Sequence, residues 1–222
     1  AFHDQLAQEW EAKYRRPSFR ARAEFVKETL KGMEIQNKYW LDAGCGTGTL
    51  SRILAEQGCR VYGVDASPAM VEKARELECF HKSKIRFEIV KTIEELPLVS
   101  GTFDGVLCSS VIEYLKNPRQ CLGEFHRILK KGGHLILSVP NRHSTVRLYQ
   151  GTLFRLAALF DKSYPAYLKH VRNQYIRKEF EQLLAENGFS ILEVKLIGPP
   201  WLQFLNRFQW FGTLYFFHVK KR

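Results

Sequence analysis

The sequence lacks any apolar run of the roughly 18 residues that a transmembrane helix needs. Its start shows no charged stretch followed by an apolar one, so no secretory signal is predicted there. We therefore expect a cytoplasmic protein, and peripheral contact with a membrane stays open as an additional location.

Cysteine is sparse and scattered. None of the five cysteines forms a Cys-x-x-Cys pair, and no Cys/His group has the spacing of a zinc site. No pair of carboxylates has metal-ligand spacing either. We expect buried thiols in a reducing compartment, no disulfide and no essential metal. The cysteines are Cys45, Cys59, Cys79, Cys108 and Cys121.

Acidic residues are outnumbered, because 34 lysines and arginines stand against 23 aspartates and glutamates, for a net charge of +11. Such an excess suits an anionic membrane surface, a nucleic acid or an acidic substrate, and it does not choose among them. No internal repeat or low-complexity tract divides the chain. Its 222 residues suffice for one α/β domain over 1–222.

The most informative stretch is a glycine-rich turn at residues 39–48, Tyr-Trp-Leu-Asp-Ala-Gly-Cys-Gly-Thr-Gly. Its apolar start predicts a short buried strand that Asp42 ends, and residues 50–57 predict a helix. Strand, glycine turn and helix form the nucleotide-binding arrangement of an open α/β sheet. Glycine permits φ > 0 and lets a ligand lie against bare backbone.

The turn is not the dinucleotide fingerprint, because Thr49 stands where Gly-x-Gly-x-x-Gly requires its last glycine. The carboxylate of Asp42 would oppose a pyrophosphate but favour a sulfonium cofactor with an ammonium group. A second strand, 60–64, ends in Asp65 about 20 residues after the glycines, where an acid suits a ribose diol.

These features resemble the Rossmann-like (class I) S-adenosylmethionine-dependent methyltransferases. The resemblance lies in residues 41–48, Leu-Asp-Ala-Gly-Cys-Gly-Thr-Gly, and 64–67, Val-Asp-Ala-Ser. It implies a three-layer Rossmann-like α/β sandwich with a seven-stranded, mostly parallel sheet whose last strand is antiparallel. It also implies S-adenosyl-L-methionine as cofactor. The cofactor-binding residues predicted on this basis are Asp42, Gly44, Cys45, Gly46, Gly48, Asp65, Ala66, Met70, Thr92, Ile93 and Cys108.

Two of these assignments keep alternatives. Met70, one turn into a helix capped by Ser67, packs either on adenine or in the core. Relatives often carry an aspartate at the position of Thr92 for the adenine amino group, so here the Thr92 hydroxyl or the Ile93 amide would replace it.

The remaining pattern predicts strands at 85–90, 102–107, 134–139, 189–197 and 213–220, and helices at 2–14, 18–30, 118–129 and 178–186. Ser18 is the expected cap of the second helix, and the Lys-Lys-Gly-Gly run at 130–133 is expected to stop the helix before it. Residues 1–31 resemble N-terminal helices that cover the cofactor site. One of Arg15, Arg16, Arg20 and Arg22 is a candidate for the methionine carboxylate.

Residues 141–175 form a basic, aromatic-rich insertion without a strand signal. We interpret it as a helical lid over an apolar substrate, a surface that lies on a membrane, or an ordinary packed helix pair.

A narrower resemblance points to the ubiquinone-biosynthesis O-methyltransferase group. It rests on 107–113, 138–142, His170 with 175–176, and 214–218. It favours O-methylation of a small, hydrophobic acceptor. His170, which follows the spacing of this group, is the favoured base, and Glu113 and His143 are the other candidates. Members often have Glu-His where this chain has Glu113-Tyr114.

Two other classes stand beside this interpretation. An RNA or nucleotide methyltransferase would explain the net charge, but no RNA-binding appendage is recognisable, so nucleic acid is not the predicted partner. A non-catalytic adapter with the same fold is the other class, and the intact glycine turn argues against it. The sequence predicts no oligomeric state.

Overall fold

The computed structural model describes residues 17–78, 85–149, 171–198 and 210–222. The helix predicted at 2–14 and much of the insertion, residues 150–170, lie outside these ranges. Among these residues, none of the helices combines the length and the apolar character that a membrane-spanning segment requires.

A mixed seven-stranded sheet forms the centre of the fold, with the strand order β3-β2-β1-β4-β5-β7-β6. β1 to β5 pair in parallel, and β7 runs antiparallel between β5 and β6. This confirms the predicted fold class. The strands are β1 (Tyr39–Ala43), β2 (Arg60–Asp65), β3 (Ile85–Ile89), β4 (Phe103–Cys108), β5 (Leu129–Pro140), β6 (Phe189–Ile197) and β7 (Leu214–Lys221).

Helices cover both faces of this sheet, as the alternation of strands and helices predicts. Apolar side chains of α1 and α2 pack in one core cluster, and those of α4 and α5 pack in another. The described helices are α1 (Pro17–Lys31), α2 (Thr49–Glu56), α3 (Pro68–Glu78), α4 (Pro118–Ile128) and α5 (Arg177–Glu186), with a 3₁₀ turn at Ile112–Tyr114.

The strand order reverses at β1, which lies between β2 and β4. In open α/β sheets, ligands bind beyond the carboxyl ends of the strands at such a switch point. The glycine turn leaves β1 at this position.

Two predicted element boundaries are wrong, the start of α1 and the end of β1. α1 begins at Pro17, so Ser18 is the second residue of the helix and not the residue before it, where a cap was expected. Proline suits the first helical position because its φ is already helical and because an N–H at this position would have no partner within the helix. β1 extends through Asp42 to Ala43, so the strand itself holds the carboxylate that was expected to end it.

The basic glycine run also has a different place from the one predicted. α4 ends at Ile128, and β5 begins at once with Leu129, so Lys130 to Gly133 belong to the strand. Pairing with β4 is irregular here, since Phe103 pairs with Leu129 but Gly105 pairs with His134. Periodicity does not reveal such an irregularity in advance.

Asp104 fastens the amino edge of the sheet, opposite the switch point. Its Oδ2 accepts from the Tyr39 amide at 2.9 Å, and its Oδ1 accepts from Lys130 Nζ at 2.8 Å. The ion pair with Lys130, together with these donors, holds the pKa of Asp104 below its usual range despite partial burial.

Candidate cofactor and acceptor site

The glycine turn is fixed to the neighbouring strand by its own backbone. The amides of Gly44 and Cys45 both donate to the Val64 carbonyl, at 2.8 and 2.9 Å. Gly44, Gly46 and Gly48 have φ values of +79°, +53° and +80°, in the region that glycine alone adopts readily. The predicted turn therefore exists, and its sequence explains its shape.

Close packing adds a second reason for glycine at two of these positions. A Cβ at Gly44 would lie 2.3 Å from Val111 Cγ2, and one at Gly48 would lie 2.6 Å from Phe87 Cζ. Val111 belongs to the loop after β4, so the glycine turn and that loop are in direct contact.

Asp65 joins the end of β2 to the glycine turn. Its Oδ2 accepts from the Gly46 amide at 2.9 Å, and its Oδ1 accepts from the Ser67 amide at 2.9 Å. A carboxylate has about four lone-pair positions, so two remain after these bonds. Asp65 can thus shape the turn and still accept hydrogen bonds from a ribose diol.

Asp42 lies beneath the same turn and is 2% exposed. Its Oδ2 accepts a hydrogen bond from Ser51 Oγ at 2.6 Å. Burial, and to a smaller extent the charge of Asp65, raises the pKa of Asp42 from its ordinary 3.8 to about 7. A carboxylate in this setting gains from a cationic ligand, which fits an ammonium or sulfonium group.

We expect cofactor affinity to rise about tenfold between pH 6 and pH 8, because a cationic ligand favours ionised Asp42 and its proton must leave first. The stability of the folded chain depends on pH in the opposite direction. The folded state keeps this proton up to about pH 7, so the free energy of unfolding falls as pH rises from about 4 to about 7. Calorimetric titration between pH 6 and pH 8 measures the change in cofactor affinity with pH, and urea unfolding between about pH 4 and pH 7 measures the change in stability. Asp42→Asn should flatten both, and slopes that persist in that variant would contradict the assignment.

The other predicted cofactor residues surround the turn in different settings. Met70 is 1% exposed and lies in the core, while the small side chain of Ala66 is exposed. Ser67 Oγ accepts from the Met70 amide at 3.3 Å, which confirms the predicted cap of α3. The roles of Met70 and Ala66 toward adenine stay predictions.

Thr92 and Ile93 follow β3. Thr92 Oγ1 accepts from the Glu94 amide at 3.1 Å and donates to Glu94 Oε2 at 3.3 Å. The Thr92 hydroxyl proton is thus directed at Glu94, and the hydroxyl oxygen retains one acceptor position for an adenine amino group. Ile93 is buried.

Two buried thiols belong to the predicted site, Cys45 in the turn and Cys108 at the end of β4. Burial raises the pKa of each well above its ordinary range, so both are neutral thiols. Negative charge on Glu113 and Asp42 adds to the rise at Cys108. Glu113 and Asp42 therefore lie within electrostatic reach of one thiol, between the turn and the loop after β4.

The loop after β4 contains a strained residue that sequence reasoning missed. Ser110 has φ = +58°, which is uncommon for a residue other than glycine. Its amide donates to Ser138 Oγ at 2.8 Å, and its own buried Oγ makes no hydrogen bond with the described residues. Strained backbone of this kind is concentrated at functional sites. A serine pair at 109–110 carries no sequence signal for it.

Glu113 lies on the 3₁₀ turn that follows, and it is 4% exposed. Its buried Oε2 makes no hydrogen bond within the described part of the chain. Burial raises the pKa of Glu113, against smaller opposing effects of its own backbone amide and the charges of Arg147 and Arg22. A buried carboxyl with an unused oxygen is a candidate acid or base.

The other predicted candidates are placed differently. His143 is exposed, and its amide donates to Asn141 Oδ1 at 3.0 Å. His170, Arg15 and Arg16 lie outside the described residues. Arg20 is exposed, whereas Arg22 stacks on Phe19 at 4.3 Å and contributes positive potential at Glu113. Within the described ranges, no group of three or more His, Cys, Asp or Glu residues could hold a metal ion.

Comparison with known proteins decides the family. A family profile described as a methyltransferase domain matches residues 11–194. The chain belongs to this methyltransferase family. The prediction of a class I S-adenosylmethionine-dependent methyltransferase is thereby confirmed at the level of the family, and the glycine turn lies within the matched region.

Curated relatives of this methyltransferase include the ubiquinone biosynthesis O-methyltransferase of Coxiella burnetii, 30% identical over 75% of this chain and 67% of that protein. The corresponding protein of Alkalilimnicola ehrlichii is 33% identical over 58% of this chain and 51% of its own length. A malonyl-[acyl-carrier protein] O-methyltransferase of Hamiltonella defensa is 31% identical over 58% and 45%. The matched part thus spans about half to two thirds of these relatives.

Solved structures show the same fold at lower identity. The Haloferax volcanii methyltransferase in complex with the activator Trm112 has a TM-score of 0.74 and 19% identity, covering 99% of this chain and 98% of that one. Magnesium protoporphyrin IX methyltransferase of Synechocystis PCC 6803, solved with bound SAH, has a TM-score of 0.69 and 22% identity, covering 92% and 84%.

Proposed function

We propose that this methyltransferase transfers the methyl group of S-adenosylmethionine to an oxygen atom of a small, apolar acceptor. The observation that carries the proposal is the Glu113 carboxyl, 4% exposed, whose Oε2 has no hydrogen-bond partner among the described residues. The curated relatives at 30% identity and above, whose names describe O-methyltransferases, support the choice of oxygen.

The described residues fit the cofactor. The turn at Gly44 and Gly48 has no space for a Cβ, Asp65 has acceptor positions for a ribose diol, and Asp42 suits a cationic group. When bound, S-adenosylmethionine supplies an electrophilic methyl group whose C–S bond breaks as the acceptor oxygen forms the new C–O bond.

Glu113 has a distinct task in this reaction, which is to take the acceptor's proton on Oε2. The loop that carries it contacts the glycine turn through Val111 and Gly44. Burial favours the neutral acid, and the nearby arginine charges favour the carboxylate. Activity should therefore increase with pH until the raised pKa of Glu113 has been passed.

An apolar acceptor agrees with the surface near the end of β5. Leu148, Tyr149 and Trp210 are 69%, 66% and 58% exposed. The Trp210 carbonyl accepts from both the amide and the hydroxyl of Thr145, at 2.8 Å each, which joins these two segments. Such a surface suits a prenylated or acyl-bearing acceptor, and it also supports peripheral contact with an anionic membrane.

Glu113→Gln should lower the turnover number about 100-fold, because the amide keeps the shape of the side chain but cannot accept the proton. The affinity for S-adenosylhomocysteine should stay within about twofold. The measurement is transfer of labelled methyl from S-adenosylmethionine to a panel of phenols and carboxylic acids, each with and without a prenyl chain. We expect the prenylated compounds to have the lower KM.

Glu124→Gln is the matched control. Glu124 is a partly buried carboxylate that accepts from the Leu96 amide and from Arg127 on the scaffold. It should lose stability without a selective loss of turnover. Full activity in Glu113→Gln, or labelling of amines but of no oxygen acceptor, would overturn the proposal.

A further inference from the structure

A short strap, residues 172–175, crosses the carboxyl edge of the sheet between β4 and β5. On one side, the amides of Arg172 and Asn173 donate to the Glu113 carbonyl at 2.7 and 3.1 Å. On the other side, the Tyr175 amide donates to the Pro140 carbonyl at 3.0 Å. The Tyr175 carbonyl accepts from the Arg142 amide, also at 3.0 Å. The strap is thus held at both flanks.

Of the strap residues, Asn173 forms the most extensive hydrogen bonding with the turn that carries Glu113. Its Nδ2 donates to the Ile112 carbonyl at 3.1 Å and to the Leu115 carbonyl at 2.8 Å. With its main-chain bond to Glu113, one residue thus contacts three of the four residues from 112 to 115. Both N–H groups of its side-chain amide are used in this way.

The turn needs such support because its internal hydrogen bonds stabilise it only weakly. Its internal hydrogen bonds are Tyr114 N to Val111 O at 2.9 Å and Leu115 N to Ile112 O at 3.3 Å, and a 3₁₀ turn has poorer hydrogen-bond geometry than an α-helix. The turn also follows the strained Ser110 and must keep the Glu113 carboxyl buried. The backbone strain and the burial of a carboxyl both cost free energy in this conformation.

We propose that Asn173 is a positioning residue that holds Glu113 in its buried, acceptor-facing setting through these hydrogen bonds. The role deepens the proposed function, on which it rests. No atom of Asn173 needs to touch the acceptor, because its side-chain donors both end on the carbonyls that flank Glu113.

The test compares the unmodified chain with Asn173→Leu, which keeps the branched side-chain shape and removes both donors without adding a charge, and with Asn173→Ala. We expect the turnover number to fall about 10- to 100-fold, because a small displacement of a catalytic group is costly. S-adenosylhomocysteine affinity should change less than twofold. The acid limb of the pH–rate profile should move to lower pH, because a loosened turn lets water reach Glu113. The positive charges facing Glu113, on Arg22 of α1 and on Arg147, stay in place.

Asn187→Ala is the matched control. Asn187 Nδ2 donates to the Leu183 carbonyl at 2.7 Å at the end of α5, away from the Glu113 turn. This variant should lose some stability but keep the pH profile. Far-UV circular dichroism and S-adenosylhomocysteine binding establish that each variant is folded.

A second readout separates this inference from the proposed function. Glu113 can be titrated by carboxyl-carbon NMR in protein labelled at glutamate, with Glu113→Gln assigning the resonance. A midpoint that falls in both Asn173 variants supports the positioning role even if the intact protein methylates no tested acceptor, an outcome that would count against the proposed function alone. A midpoint and pH profile unchanged in Asn173→Leu would overturn the positioning role.

Discussion

Replacing Asp65 with asparagine should weaken binding of S-adenosylmethionine and S-adenosylhomocysteine by at least about 100-fold. The carboxylate accepts from the Gly46 amide and the Ser67 amide, and it is the predicted partner of the ribose diol. Hydrogen bonds to a charged group contribute about 1.5–3 kcal/mol each, and the asparagine NH₂ must also face a donor. Loss of the two hydrogen bonds that the ribose hydroxyls would donate to Asp65 corresponds to about 100-fold or more in affinity. Equilibrium dialysis with labelled S-adenosylhomocysteine measures the change.

Asp104→Asn is the control for this prediction. Asp104 likewise accepts a backbone amide, that of Tyr39, but at the amino edge of the sheet. Its replacement should reduce stability and leave cofactor affinity almost unchanged. Equal losses of affinity in the two variants would mean that Asp65 acts through the stability of the sheet and not at a binding site.

Gly44→Ala is the second change with a large expected effect. The new Cβ would meet Val111 Cγ2 at 2.3 Å on a backbone with φ = +79°. Either the glycine turn or the loop carrying Glu113 must move, and cofactor affinity should fall at least about tenfold. The free energy of unfolding should fall by about 1–3 kcal/mol. Urea unfolding and cofactor titration follow the two effects.

Gly101→Ala separates strain from collision, because Gly101 has φ = +65° but a Cβ there meets nothing within 4 Å. It should cost about 1 kcal/mol of stability and no cofactor affinity. The double variant Gly44→Ala with Val111→Ala should regain part of the affinity. No recovery in the double variant would show that the backbone conformation, and not the contact with Val111, decides the loss.

The glycine turn was predictable because its chemistry is local. Alternate glycines after an apolar strand require positive φ, and Asp65 follows the next strand at the distance that a ribose partner needs. The family resemblance supplied what local pattern does not contain, namely the antiparallel last strand and its place in the sheet.

The acceptor side depends on long-range contacts, which a single sequence does not display. Glu113 was a candidate from the sequence, but its burial and unused oxygen depend on packing against β5 and the strap. Ser110 gave no signal, because serine is not a residue type that marks positive φ. Asn173 gave none, because its partners precede it by about 60 residues.

Calorimetric titration of S-adenosylhomocysteine into the unmodified chain at pH 8 tests most directly whether the glycine turn and Asp65 form a cofactor site. Saturable binding of one molecule per chain, weakened at pH 6 as the titration of Asp42 requires, is the predicted result. Absence of binding by the folded chain at about millimolar ligand, which corresponds to less than about 4 kcal/mol of binding free energy, would contradict it.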